Sequence, residues 1–118
     1  MKKILPTIFV SFIALGFLSS HTARLPTSLK ITVLNSLGNP VADASVTLYG
    51  SEDDYRDEKN AVSETLMTNE KGQVIFKKLE SKIYFVHVVK EKMNNDGGAA
   101  QTNKLESGKQ NKVNIVIE

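Results

Sequence analysis

Lys82-Ile83-Tyr84-Phe85-Val86-His87-Val88-Val89-Lys90 is the stretch on which the fold turns. It is dense in β-branched and aromatic residues and is closed by a lysine at each end. Read at period two, Tyr84, Val86 and Val88 fall on one side and Ile83, Phe85, His87 and Val89 on the other. A strand with apolar residues on both faces belongs in the middle of a sheet, with a second layer against at least one face.

Working outward, the same period recurs. Leu29 to Leu34 and Ala44 to Tyr49 alternate in the same way, and Glu64 to Thr68 does so more weakly. Gln73-Val74-Ile75-Phe76, a short Gln101 to Lys104 and a terminal Lys112 to Ile117 complete seven strands. Asn35 to Pro40, Asn69 to Gly72 and Ser107 to Lys109 carry the turn residues between them. The pattern predicts an all-β, seven-stranded antiparallel Greek-key β-sandwich. Its expected core is Ile31, Val33, Ala44, Val46, Leu48, Val74, Phe76, Tyr84, Val86, Val88, Val113, Ile115 and Ile117. Helical character appears once. Ser51 can cap Glu52 to Lys59, with Glu52, Asp53 and Asp54 at the start and Lys59 at the end, as the helix dipole prefers. Asn94 to Ala100 reads as a loop.

Residues 1–23 stand apart. A basic start, Met1-Lys2-Lys3, leads into the apolar run Ile4 to Leu18 and then into small and polar residues. This is the order of a secretory signal peptide, with cleavage after Ser20 or Ala23. The apolar run is shorter than the roughly 20 residues a spanning helix needs, so a membrane is met only through this segment if it is left uncleaved. Residues 24–28 follow as a linker, and 29–118 form the domain. The chain has 15 Lys+Arg and 13 Asp+Glu; Lys2 and Lys3 depart with the leader, which leaves 13 of each sign from Arg24 onward. A mature domain without excess positive charge lacks the basic footprint of a nucleic-acid binder. There is no cysteine, so disulfides, thiolate metal sites and cysteine nucleophiles are absent from the whole chain.

Three motifs carry a resemblance. Gly38-Asn39-Pro40-Val41-Ala42-Asp43-Ala44-Ser45-Val46-Thr47-Leu48 resembles the opening of carboxypeptidase regulatory-like domains, G-x-P-V-x-x-A-x-V-x-L. Thr68-Asn69-Glu70-Lys71-Gly72-Gln73-Val74-Ile75-Phe76-Lys77-Lys78-Leu79 is similar to their central T-(D/N)-x-x-G-x-x-x-F-x-x-L. Ile83-Tyr84-Phe85-Val86 stands where the family has G-x-Y-x-V, with Ser81-Lys82 replacing the usual glycine. The resemblance covers residues 29–118. It implies a transthyretin-like (prealbumin-like) sandwich, exported and non-catalytic, that binds or spaces other proteins at the cell envelope, in the periplasm or on the surface.

Candidate chemistry is sparse. His87 has no second histidine near it and reads as a surface strand residue. The 5-hydroxyisourate hydrolases share the transthyretin-like fold, but their resemblance requires several histidines and a C-terminal Tyr-Arg-Gly-Ser. This chain ends Asn114-Ile115-Val116-Ile117-Glu118, and no enzymatic activity, cofactor or metal is expected. Glu52, Asp53, Asp54, Asp57 and Glu58, or Asn94, Asn95 and Asp96, offer oxygen ligands without calcium-loop spacing. An alternative function, carbohydrate or calcium binding, would use loops 51–60 and 92–103. A Lys–Asn isopeptide bond of the collagen-adhesin type, from Lys30 to Asn111 or Asn114, conflicts with alternation, which turns Lys30 to solvent. The remaining candidate is a partner surface for an unknown protein or glycan, made by the outward apolar residues Tyr49, Ile75, Ile83, Phe85, His87 and Val89, joined by Val116. The favoured expectation is that the Glu52–Lys59 turn covers this stripe, with Tyr55 docked on it.

Overall fold

A computed structural model describes residues 25–118, and the expected leader of residues 1–23 lies outside the described residues. Among the described residues seven strands and one short helix follow in order: β1 (Ser28–Leu34), β2 (Ser45–Tyr49), α1 (Glu52–Asp57), β3 (Leu66–Met67), β4 (Gln73–Phe76), β5 (Phe85–Lys90), β6 (Met93–Asn94) and β7 (Gln110–Val116). They form two sheets, β4-β1-β7 and β3-β2-β5-β6. The protein is an all-β sandwich, as its alternation predicts.

Inward residues pair across the ladders. Val46 faces Val88 and Leu48 faces Val86 in one sheet; Ile31 faces Val74 on one side and Val113 on the other in the second sheet. All of the expected core residues lie in the core cluster or, for Val113, packed against it. Leu29, Val41 and Leu105 join them. Each fully buried aliphatic side chain contributes roughly 1.5–3 kcal/mol through water release, so this double layer is the main source of stability.

The expectation of a wholly antiparallel sandwich is corrected at one ladder. β1 pairs with β7 in parallel, from Ser28↔Gln110 to Leu34↔Val116, while the other ladders are antiparallel. Parallel neighbours need a long crossover connection, and the rest of the domain supplies it. The fold also begins slightly earlier than expected. Thr27 and Ser28 are buried, and the Thr27 hydroxyl accepts a hydrogen bond from the Gly108 N–H at 2.8 Å. The expected edge strand at Gln101–Lys104 is reduced to a single bridge, Phe85↔Gln101. Two backbone hydrogen bonds hold it there, from the Val86 N–H to the Ala100 carbonyl at 2.8 Å and from the Thr102 N–H to the Tyr84 carbonyl at 2.9 Å, and Thr102 Oγ1 also accepts from the Tyr84 N–H at 3.0 Å. A two-residue strand, β6, forms instead where a loop was expected.

The turn at Asn69–Gly72 carries the chain from one sheet to the other rather than closing a hairpin within a sheet. Gly72 has φ +72° and sits against Val33 and Val41. The missing glycine at Ser81-Lys82 has no conformational consequence, because the left-handed residue in that connection is Lys78, at φ +56°. Tyr84 is buried, and its hydroxyl accepts from the Glu80 N–H at 3.0 Å.

Candidate functional site

The outward stripe does not form one surface. Alternation assigned each residue to an outer face without saying which sheet it belongs to. Ile75 and Val116 lie on the outer face of β4-β1-β7, beside Lys30 and Leu34 respectively. Tyr49, Phe85, His87 and Val89 lie on the outer face of the other sheet, where Tyr49 pairs with Phe85. The two outer faces are separated by the full thickness of the sandwich. Ile83 stands just before β5 and is exposed, as are Val89 and Ile75.

On the second sheet α1 covers the middle of the stripe. Ser51 is its N-cap, and the Ser51 hydroxyl accepts from the Asp54 N–H at 3.2 Å. Glu58 ends it in the left-handed conformation, φ 52° and ψ 47°. The Asp54 carboxylate does not reach back to close a capping box; it accepts from the Asn60 side chain at 3.2 Å. The Arg56–Glu52 pair at 2.7 Å is exposed and contributes little. Docking rests on Tyr55. Its ring meets Tyr49 edge-on at 6.0 Å, His87 edge-on at 5.8 Å, and lies tilted on Phe85 at 6.2 Å. Tyr49 is thereby 5% exposed. Burial pushes the Tyr49 phenol above its ordinary range, helped by the nearby Glu58 carboxylate. The Tyr55 phenol is raised by burial first, then by Asp96 and Glu58.

His87 is not a free surface residue. Its side chain is only 15% exposed, and its Nε2 lies 3.2 Å from an Asp96 carboxylate oxygen. Asp96 is placed by its neighbours. Asn95 is 1% exposed; its side-chain amide donates to the Val86 carbonyl at 2.8 Å, and its oxygen accepts from the Val88 N–H at 3.0 Å. Asn95 thus serves as a one-residue piece of strand on the edge of β5. The Asn94 side chain then accepts from the Asp96 N–H at 2.9 Å. Sequence reading placed these residues in a turn; an asparagine that substitutes for a strand leaves no periodic signal.

Two clefts flank Tyr55. One, of about 330 Å³, lies between Tyr55, Glu58, His87 and Asp96; the other, of about 220 Å³, lies between Tyr55, Phe85, Asp96 and Gln101. Loops 51–60 and 92–103 therefore meet at one place. Among the described residues no three His, Asp or Glu side chains converge in a metal-holding group. The hydroxyl beside His87 across the ladder, Thr47, is paired with Thr65 Oγ1 at 2.8 Å. Lys30 lies opposite Ile75 and Lys112 on an outer face, whereas the Asn111 amide donates to the carbonyls of Ser28, Glu106 and Lys109. Asn111 thus lies on the opposite side of the sheet from Lys30, whereas Asn114, beside Thr32, shares the outer face of Lys30 but is exposed there rather than buried as an isopeptide bond requires.

Comparison with solved structures shows likenesses of fold. Part of a pilin subunit shares this fold. The crystal structure of BcpA, the major pilin subunit of Bacillus cereus, superposes with a TM-score of 0.54 at 14% identity, over 80% of this chain and 30% of the subunit. A variant of the same subunit gives 0.53 at 14% identity, over 78% and 28%. This chain therefore spans about 30% of the length of the pilin subunit it matches. The dioxygenase domain of a dioxygenase carbohydrate-binding protein fusion from Streptomyces sp. SirexAA-E superposes at 0.43 with 9% identity, over 82% of each chain. No known family matches the sequence, and no curated protein does.

Proposed function

We propose that this chain is an exported, non-catalytic β-sandwich of the carboxypeptidase regulatory-like, transthyretin-like kind, which binds or spaces other proteins at the cell envelope. The observation that carries this reading is the fold held in common with part of a pilin subunit, a protein named for building a surface structure. The leader-like order of residues 1–23 supports the same compartment. The site chemistry fits a module of this kind, because Tyr55, His87 and Asp96 are used to fasten α1 to the sheet. The test is fractionation of the native cell with mass measurement of the purified protein. A processed chain beginning at His21 or Arg24 in the envelope fraction is expected. An intact Met1 start in the cytoplasm overturns the reading, as does hydrolytic turnover that tracks with the purified protein.

A second reading has a specific observation in its favour. The loops 51–60 and 92–103 meet around Tyr55, where an aromatic ring stands beside Glu58, Asp96 and Asn94. Rings and carboxylates so placed suit a sugar, and the oxygens suit calcium. Calorimetry with calcium chloride and a panel of soluble glycans tests it; no heat from either removes it.

A further inference from the structure

A further cleft, about 460 Å³, lies away from α1, beside the first half of β7. Its floor is Leu29, Leu105 and Val113, and its rim holds Lys104, Lys109 and Lys112. One wall is the strap of residues 102–106; the other is the first half of β7.

The backbone of β7 shows why this wall is open. The Lys109 carbonyl accepts from the Ser28 N–H at 3.1 Å, and the Ile117 N–H donates to the Leu34 carbonyl at 2.9 Å. Residues of that parity therefore turn their hydrogen-bonding groups toward β1. Residues of the other parity turn theirs outward. Glu118 confirms the rule: its N–H and C=O pair with Asn94 at 3.1 and 3.2 Å, which joins the two sheets at that corner. Further back along the same edge, Gln110, Lys112 and Asn114 point N–H and C=O groups outward, and among the described residues these have no backbone partner. The edge is thus sealed at one end and open at the other, with a hydrophobic floor below the opening. Such an edge is a template for one more strand.

Charge selects the strand. The rim carries Lys104, Lys109 and Lys112 against Glu106. Lys109 is paired with Glu106 at 3.3 Å, and no carboxylate lies within ion-pair distance of Lys104 or Lys112 among the described residues. Two copies of this chain meeting edge to edge would bring these lysines together, so a second copy is disfavoured. We propose that the open stretch of β7 from Gln110 to Asn114 takes up an extended acidic segment of a partner protein as an added strand. This deepens the protein-binding reading and rests on it. Failure here leaves the fractionation result, which tests that reading, untouched.

The experiment uses the full chain and a labelled peptide alternating glutamate and valine, with a lysine–valine peptide as control. Saturable binding of the acidic peptide is expected, weakened roughly tenfold when Lys104→Glu and Lys112→Glu are combined. Lys112→Pro should abolish binding while Lys112→Ala only reduces it, because proline removes an outward N–H that no internal bond uses. Equal binding of the lysine–valine peptide, no binding of the acidic one, or Lys112→Pro binding as well as Lys112→Ala overturns the proposal. Should Lys112→Pro not fold, amide exchange in the unaltered chain decides: slowed Lys112 and Asn114 amides on peptide addition support the proposal, and unchanged rates overturn it.

Discussion

A β-carbon added at Gly72 would lie 2.7 Å from the Val33 carbonyl oxygen and 2.9 Å from the Val41 nitrogen. Both are backbone atoms of the fold, so neither can swing aside. The Gly72 carbonyl also accepts from the Val33 N–H at 2.7 Å. With φ at +72° as well, Gly72→Ala should cost roughly 2 kcal/mol or more, read as a lower urea midpoint at unchanged slope. A midpoint within error of the parent would show that the turn can move. Gly38 makes the control: it also has positive φ, but nothing lies within 4 Å of an added β-carbon, so Gly38→Ala should cost less. Asn95 is the second position at this scale. Asn95→Ala would strip partners from the Val88 N–H and the Val86 carbonyl. A loss of roughly 2–4 kcal/mol is expected, as each orphaned buried group costs about 1–3 kcal/mol. Chemical denaturation checks it, and a loss comparable to that of an exposed asparagine such as Asn103 would refute the strand-substitute role.

The helix α1 is too short to be stable alone; its six residues depend on a cap and on Tyr55. Tyr55→Ala should release it: amides of residues 54–59 should exchange far faster, while those of β1 and β7 stay protected. If all amides speed up equally, α1 is integral to the core rather than a docked cover. The two raised phenols give the same element a pH signature. A tyrosine whose folded pKa exceeds its unfolded value contributes stability that is whole below about pH 10 and is lost as pH rises through the raised value. Absorbance at 295 nm should show Tyr49 and Tyr55 ionising above the ordinary range, and the melting temperature should fall over the same interval. Tyr49→Phe and Tyr55→Phe together should flatten that fall, and an unaltered alkaline slope in the double variant would assign it elsewhere.

For the whole molecule, the decisive connection is between its first and last strands. β7 closes the three-stranded sheet beside β1, Ile117 is fully buried, and Glu118 ties β7 to β6. Removing Ile117 and Glu118 should therefore destabilise the entire sandwich. Ile117→Ala alone should cost roughly 2–5 kcal/mol. The check is calorimetry: a single cooperative transition at markedly lower temperature is expected, and an unshifted one would mean that the parallel ladder holds without its last inward residue. Because that ladder forms only after almost the whole chain is in place, refolding should occur over milliseconds to seconds rather than microseconds. Stopped-flow fluorescence from the tyrosines reads this directly.

What the amino-acid order determined by itself is the period. Two-residue alternation is a local property, so it assigned Tyr84, Val86 and Val88 to one side of β5 and Ile83, Phe85, His87 and Val89 to the other, and it identified nearly all of the core. Ser51 and the acids after it likewise announced α1, because capping needs only neighbours. Pairing partners lie outside that reach. That β7 runs parallel to β1, that Ile75 and Phe85 lie on opposite outer faces, and that His87 meets Asp96 are contacts between distant segments, which no local pattern encodes. Asn95 and the open edge of β7 were invisible for the same reason: whether a backbone group is satisfied depends on what the rest of the chain brings beside it. Only the tertiary structure supplies that neighbour, and at Gln110 to Asn114 it leaves the place empty.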